Sequence, residues 1–239
     1  MIVEVCANSL ESALNAEKAG ADRIELCSEL AVGGITPSYG LLKAVSEKIT
    51  IPVRVLIRPR SGDFTYSEDE FSIMKENIML CREMGFDGIV LGMLNADFSL
   101  DKKRQEILVG FCDTMKITFH RAFDWVSDPK GTLQWLDGNV DAILTSGQET
   151  KAVHGIDLLT QLNTIAAHTV IMPGSGINPE NAHIFKEKGF KAIHLSAVKM
   201  NKRLNDSPKV GMNSSQLLSD TSLPISHFET IQEIVKSVK

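Results

Sequence analysis

The chain has little that would staple, anchor or stretch it. Only four cysteines occur in 239 residues. Cys6, Cys27, Cys81 and Cys112 are widely spaced with no CxxC pair, which argues against a disulfide framework or a zinc ribbon and leaves reduced thiols as the expectation. Basic residues are not in excess. Lys plus Arg number 25 against 30 Asp plus Glu, a formal charge of -5, so there is no broad positive surface for a phosphate backbone and nucleic acid is excluded as a partner. No apolar run approaches the roughly 20 residues of a membrane helix, and no basic segment leads into a signal-type core. A cytoplasmic protein without a membrane partner is expected. Also missing are a Walker loop, an HExxH helix and a nucleophile elbow, which removes three common catalytic architectures.

What is present is a recurrence. The segments Lys18 to Leu26, Glu83 to Leu91, Gly138 to Leu144 and Glu187 to Leu195 share one plan: a helix end or turn, glycine, a short polar step, then β-branched residues entering a strand. Further strands fit at Ile2 to Cys6, Pro52 to Ile57, Met115 to His120 and Thr169 to Met172. Ser67-x-x-Glu70 reads as a capping box, Asp128-Pro129 and Asn178-Pro179 as helix starts, and Phe71, Met74, Ile78 and Cys81 follow helical spacing. Eight βα units in about 240 residues match a (β/α)8 TIM barrel of parallel strands. A doubly wound open sheet is the alternative, but polar residues close five strands spread along the chain, and only a barrel gathers such ends at one mouth. The chain reads as one domain, 1–239, with a long polar loop at about 197–224 placed to cover the mouth before a last helix that Ser226-x-x-Glu229 opens.

The polar strand ends are the candidate site. Glu4 with Cys6, Glu25 with Cys27, and His194 with Ser196 each share a strand face. His120 is a candidate proton carrier near neutral pH, with Asp124 or Glu25 fixing its tautomer, or a histidine simply bonded in the core. His194, opposite Glu4, is a candidate buried pair. Arg58 and Arg60 are suited to grip a carboxylate or phosphate, or to neutralise Glu4, Glu25 or Asp63. The loops Thr145-Ser146-Gly147, Gly174-Ser175-Gly176 and Ser196-Ala197 follow strands six to eight, where barrels often bind anions, and Asn178-Pro179 would add a helix start; the alternative is that the glycines only make tight turns. Cys6 and Cys27 fall on neighbouring strands and suit a soft ion such as Cu(I), or act as small hydrophobes. No lysine is expected at a strand end, which disfavours a Schiff-base aldolase. The inventory fits proton transfer on, or cleavage of, a small anionic substrate. A divalent-metal site from Glu4, Glu25, His120 and His194 ranks last.

Several motifs are longer than barrel patterning requires: Glu4-Val-Cys6, Asp22-Arg-Ile-Glu-Leu-Cys27, Gly33-Gly-x-Thr36-Pro-Ser38, Ile57-Arg-Pro-Arg60-x-Gly-Asp-Phe64-x-Tyr66, Phe119-His-Arg-Ala-Phe-Asp124, Leu144-Thr-Ser-Gly147 and Met172-Pro-Gly-x-Gly-Ile177. Together they resemble the CutC family over roughly residues 2 to 200. The resemblance implies a cytoplasmic (β/α)8 barrel, commonly a homodimer, named for a part in copper homeostasis. It links Cu(I) to the cysteines at Cys6 and Cys27, beside a mouth like that of an enzyme. Gln148 stands where a second glycine often follows Thr-Ser-Gly, and the tail after Met200 matches the family ending only loosely.

Overall fold

A computed structural model of the chain describes residues 1–213 and 219–239. Strand and helix alternate from the start. β1 (Ile2–Ala7), β2 (Arg23–Leu26), β3 (Val53–Leu56), β4 (Gly88–Leu91), β5 (Lys116–Phe119), β6 (Ala142–Thr145), β7 (Val170–Pro173) and β8 (Ala192–Leu195) form one parallel sheet. Its order is β7-β6-β5-β4-β3-β2-β1-β8, so sequential strands are neighbours and β8 returns to β1. Glu4 stands opposite both Arg23 of β2 and His194 of β8. The sheet is nearly closed. At the β7–β8 seam a Cβ added to Gly174 would touch the His194 side chain at 3.4 Å. The helices are α1 (Leu10–Lys18), α2 (Tyr39–Ser46), α3 (Glu68–Glu83), α4 (Lys102–Cys112), α5 (Pro129–Leu136), α6 (Ile156–Ile165), α7 (Ala182–Glu187) and α8 (Phe228–Val238). The (β/α)8 barrel expected from the sequence is the fold.

Local chemistry explains most element ends. Ser67 accepts from the Glu70 amide at 3.1 Å while Glu70 accepts from the Ser67 amide at 2.8 Å, the reciprocal box that starts α3. Phe71, Met74, Ile78 and Cys81 of that helix are buried, each large apolar side chain contributing about 1.5–3 kcal/mol. Asp128 caps α5 by accepting from Gly131, with Pro129 in the first turn. Two expected starts move. Asn178-Pro179 precedes α7 rather than opening it: Asn178 and Asn181 exchange amide-to-side-chain bonds at 2.9 and 3.1 Å, and the helix begins at Ala182. His227, not Ser226, caps α8, because the Ser226 amide and hydroxyl are tied to Ser12 and the Cys6 carbonyl.

The expected polar loop at 197–224 carries structure at both ends. β9 (Val198–Lys202) and β10 (Ser222–Ser226) pair antiparallel, and Val198 and Lys199 take part in the wall of the mouth. The part of that loop at 214–218 lies outside the described residues.

Burial divides into two layers. Outward strand residues such as Val3, Val5, Ile24 and Leu26 pack against the helices in the main core. Inside the barrel, apolar side chains form two small clusters, Cys6, Cys27, Leu56 and Val90 on one side and Leu144, Met172 and Ala192 on the other. Polar groups hold the rest of the interior.

Candidate functional site

The register of the strands brings charged side chains into the barrel axis. Glu4 is fully buried and pairs with Arg23 Nε and with His194 Nδ1 at 2.8 Å. Arg54, from β3, donates to Thr118 at 2.7 Å and lies 3.4 Å from Asp87. Burial alone would raise the Glu4 carboxyl, but the His194 bond and the charges of Arg23, His194 and Arg54 hold it down at about 2. His194 moves the other way. Burial opposes its charge, yet Glu25, the Cys6 bond and Glu4 raise it well above the usual histidine range. An ionised Glu4–His194 pair thus sits beneath the mouth.

One layer above lies Glu25, whose Oε2 is 4.0 Å from His194 Nδ1 and has no hydrogen-bond partner. Burial raises its carboxyl, and Glu4 adds to that while the His194 charge opposes it. Its Oε1 accepts from Cys6 Sγ at 3.5 Å, and Cys6 Sγ is also 3.5 Å from Cys27 Sγ. The Cys27 bond and burial push the Cys6 thiol well above its ordinary value, so it is a protonated thiol when no cation is near. Ligand atoms of Cys6, Glu25 and His194 all lie within 4.8 Å of one another. Sulfur, nitrogen and oxygen donors converging around an orphaned carboxylate oxygen fit a metal ion. The pairing of His194 with Glu4 was legible in the sequence; its place beside Cys6 was not.

This cluster forms the floor of a cavity of about 880 Å³ at the C-terminal end of the strands, the face on which barrel enzymes carry their sites. Arg58 and His120 line it from β3 and β5. Arg58 is 6% exposed; its Nη1 donates to the carbonyls of Val32 and Gly34 at 2.8 and 2.9 Å and its Nη2 to Gly62 at 2.7 Å. Nε is left without a partner. Gly34 has φ +86 and packs against Cys27, so only glycine presents that carbonyl to Arg58 without strain. His120 Nδ1 accepts the Ala122 amide at 3.1 Å, which puts the proton of the neutral ring on Nε2, also unpartnered. Neither Asp124 nor Glu25 sets that tautomer. Burial and the Arg58 charge lower His120 to about 3, which favours the neutral ring near pH 7, with an Nε2–H that meets no acceptor among the described residues. A Cβ at Gly92 would come within 2.7 Å of the ring, which makes glycine the condition for His120 to occupy the barrel.

Other candidates serve the loops. Asp124 accepts from Thr145 Oγ1 at 2.5 Å, from the Ser146 and Gln148 amides at 2.9 and 3.2 Å, and from Arg121 at 2.8 Å. Thr145 Oγ1 also accepts from the Gly147 amide at 2.9 Å, and Ser146 Oγ donates to the Glu149 carbonyl. That loop is bound within itself. Arg60 turns away from the mouth, with Nε on Glu70 at 2.5 Å, Nη2 on the Thr65 carbonyl at 2.6 Å and its guanidinium over Tyr66. Ser175, Gly176 and Ser196 do line the cavity, although Ser175 Oγ donates to Thr150 at 2.8 Å; Gly174 lies behind them against Leu144 and His194. Lys199, which lies past β8, joins the lining from β9 and is 3.4 Å from His227 Nε2. Sequence reasoning also missed Phe64 and Trp125. Phe64 meets His120 at 4.8 Å and Trp125 at 4.9 Å between ring centroids. An exposed-side tryptophan one residue after Asp124 was the available signal.

Comparison with known proteins places these features. The sequence model of the CutC family matches residues 1–199, a span that includes Glu4, Cys6, Glu25, Arg58, His120 and His194. A CutC family protein of Klebsiella pneumoniae (strain 342) is 44% identical over 197 residues, covering 82% of this chain and 80% of that one. A solved CutC structure from Streptococcus agalactiae superposes with a TM-score of 0.78 at 34% identity, over 82% of this chain and 98% of that chain. Phosphoribosyl anthranilate isomerase from Thermus thermophilus, 15% identical with a TM-score of 0.55 over 99% and 98% of the two chains, shares the fold alone. Among the described residues no helix is long and apolar enough to cross a membrane.

Proposed function

The chain belongs to the CutC family, and from that premise we propose that it handles copper, holding Cu(I) through the thiolates of Cys6 and Cys27 at the floor of the barrel mouth. The observation that carries this reading is the 3.5 Å approach of the two sulfurs within reach of His194 and Glu25. Thiolate is the soft donor that Cu(I) prefers. Binding must displace thiol protons, so affinity rises with pH. The Streptococcus agalactiae relative carries a copper-homeostasis name, which agrees. The cytoplasmic homodimer implied by the family resemblance belongs to the same reading. Anaerobic Cu(I) titration against a chromophoric competitor tests it: wild type should retain one equivalent that the Cys6→Ser, Cys27→Ser double variant loses, and equal retention by both proteins overturns it.

A second reading is favoured by the cavity itself. Unpartnered atoms of Glu25, Arg58 and His120 all belong to residues that line it, and buried polar groups without partners are rare unless a ligand, ion or water completes them. Under this reading the mouth is an enzyme site for a small phosphorylated or carboxylated metabolite. Glu25 is its acid or base and Arg58 an anchor, with Ser175, Gly176 and Ser196 along the opposite rim. Asp124, Thr145, Ser146 and Gly147 act in it only as the scaffold of that rim, and Arg60 as a brace of the Arg58 loop.

A further inference from the structure

Two orphaned donors of the mouth are packed on one aromatic ring. The Arg58 guanidinium carbon stands 5.1 Å from the Phe64 centroid and the His120 ring 4.8 Å from it. Trp125 meets Phe64 nearly edge-on and is 47% exposed at the rim. All four residues line the cavity. A buried donor without an acceptor is costly, and neither of these has one in hydrogen-bonding geometry; the buried Tyr66 hydroxyl beside Arg58 is unpartnered as well.

A phosphate dianion is a poor match for those acceptors. The guanidinium groups that would neutralise it are committed elsewhere: Arg60 to Glu70, Arg121 to Asp124 and Ser146, and both Nη atoms of Arg58 to carbonyls; the other lining cation, Lys199, comes from β9 and lies 3.4 Å from His227. The Thr145 and Ser146 hydroxyls are spent within their own loop. Among the buried side chains that line the cavity, what remains is one guanidinium N–H, one neutral imidazole N–H and an unpartnered carboxyl oxygen of Glu25, with a half-exposed indole at the rim. Directional donors and acceptors around an aromatic face match a ring that carries hydroxyl and carbonyl oxygens on its edge and C–H groups on its face.

We propose that the mouth binds a sugar or sugar acid whose oxygens accept hydrogen bonds from Arg58 Nε and His120 Nε2 while its ring lies against Trp125. This rests on the second reading above and narrows its substrate class from phosphorylated metabolites to uncharged or singly charged polyhydroxy compounds. Phe64, which touches both donors, is the side chain that must give way for the oxygens to reach them. Because burial and Arg58 hold His120 far below the usual histidine range, the ring donates near neutral pH without taking up a proton.

The test uses full-length protein carrying Trp135→Phe, which leaves Trp125 as the one tryptophan of two. D-glucose, D-glucuronate and D-glucose 6-phosphate are titrated to about 50 mM, far enough to saturate a site of millimolar affinity, with Trp125 emission and the 15N shift of His120 Nε2 as readouts. Glucose or glucuronate should shift both signals saturably, more tightly than the phosphate, and His120→Phe or Arg58→Lys should weaken binding about tenfold, the loss of one good hydrogen bond. If glucose 6-phosphate binds best, the sugar inference falls and the phosphorylated-metabolite reading stands. Silence from all three probes overturns both, and so does binding unchanged in the two variants. Should His120→Phe fail to fold, Arg58→Lys and the wild-type His120 shift decide.

Discussion

Two walls of the mouth carry the same kinds of residue and use them in opposite ways. On the β8–β1–β2 side, Glu4, Glu25, Cys6 and His194 touch one another, and Glu4 takes the close contacts of both Arg23 and His194, so one oxygen of Glu25 is left over. On the β5–β6 side, Asp124 is brought to the mouth by the short helical turn after β5, but every direction around it is filled by the Thr145 hydroxyl, backbone amides and Arg121. Strand-end position brings a side chain near the mouth. Whether it is free to do chemistry depends on how many backbone N–H groups the following loop points at it.

The largest expected effect tests this contrast through stability. Glu4→Ala strands two buried cations, Arg23 and His194, and should cost about 3–5 kcal/mol, as removal of one member of a buried ionic cluster does. Asp124→Ala removes an acceptor from mostly neutral donors, a cost of about 1–3 kcal/mol. Urea denaturation of both variants gives the ordering; equal losses would mean that the two carboxylates are held alike.

Acid separates the walls next. His120 has its folded-state value lowered from 6.5 to about 3, so as pH falls below 6.5 the unfolded chain takes the proton first and stability is lost progressively down to pH 3. The slope is about 1.4 kcal/mol per pH unit, or about 2 kcal/mol at pH 5. Glu25 and His194 have raised values, which gives the opposite sign: their contribution grows as pH falls through the folded-state values. Glu4, lowered to about 2, adds acid lability only below 4.5. Between pH 6.5 and 5 the stability difference between wild type and His120→Gln therefore isolates the imidazole, and a flat difference would place a charged ring in the barrel.

Much of this was legible before any coordinates. Gly20, Gly85, Gly138 and Gly189 mark αβ junctions because each takes a positive φ at a helix end or turn, and eight such units admit few folds. Alternation within strands correctly put Glu4 beside Cys6 and Glu25 beside Cys27, and β1–β2 pairing then set the cysteines side by side. Tautomer and charge were not legible. His120 takes its tautomer from the amide of Ala122, two residues on, a contact made by the short helical turn at Arg121–Trp125 that has no periodic signal. The hairpin of β9 and β10 was hidden for a related reason: β9 is mostly exposed and β10 buries only Ile225 and Ser226 at its end, so neither carries the buried alternation from which strands are read.

The smallest expected effect concerns the two arginines of Ile57-Arg-Pro-Arg60, which sequence could not tell apart. Arg58 is buried and holds three carbonyls from two loops. Arg60 is about one-third exposed in its side chain, with Glu70 and Asp63 as partners; pairs of that exposure contribute about 0–1 kcal/mol. Proline between them fixes φ at Pro59, and two residues on from Arg58 the guanidinium emerges against Tyr66 rather than in the mouth. Arg60→Ala should thus lower stability by about 1 kcal/mol or less and leave Cu(I) retention and sugar binding as in wild type. A larger loss of binding than Arg58→Lys produces would reverse their roles, because it would make the brace, and not the lining arginine, the group that governs the cavity.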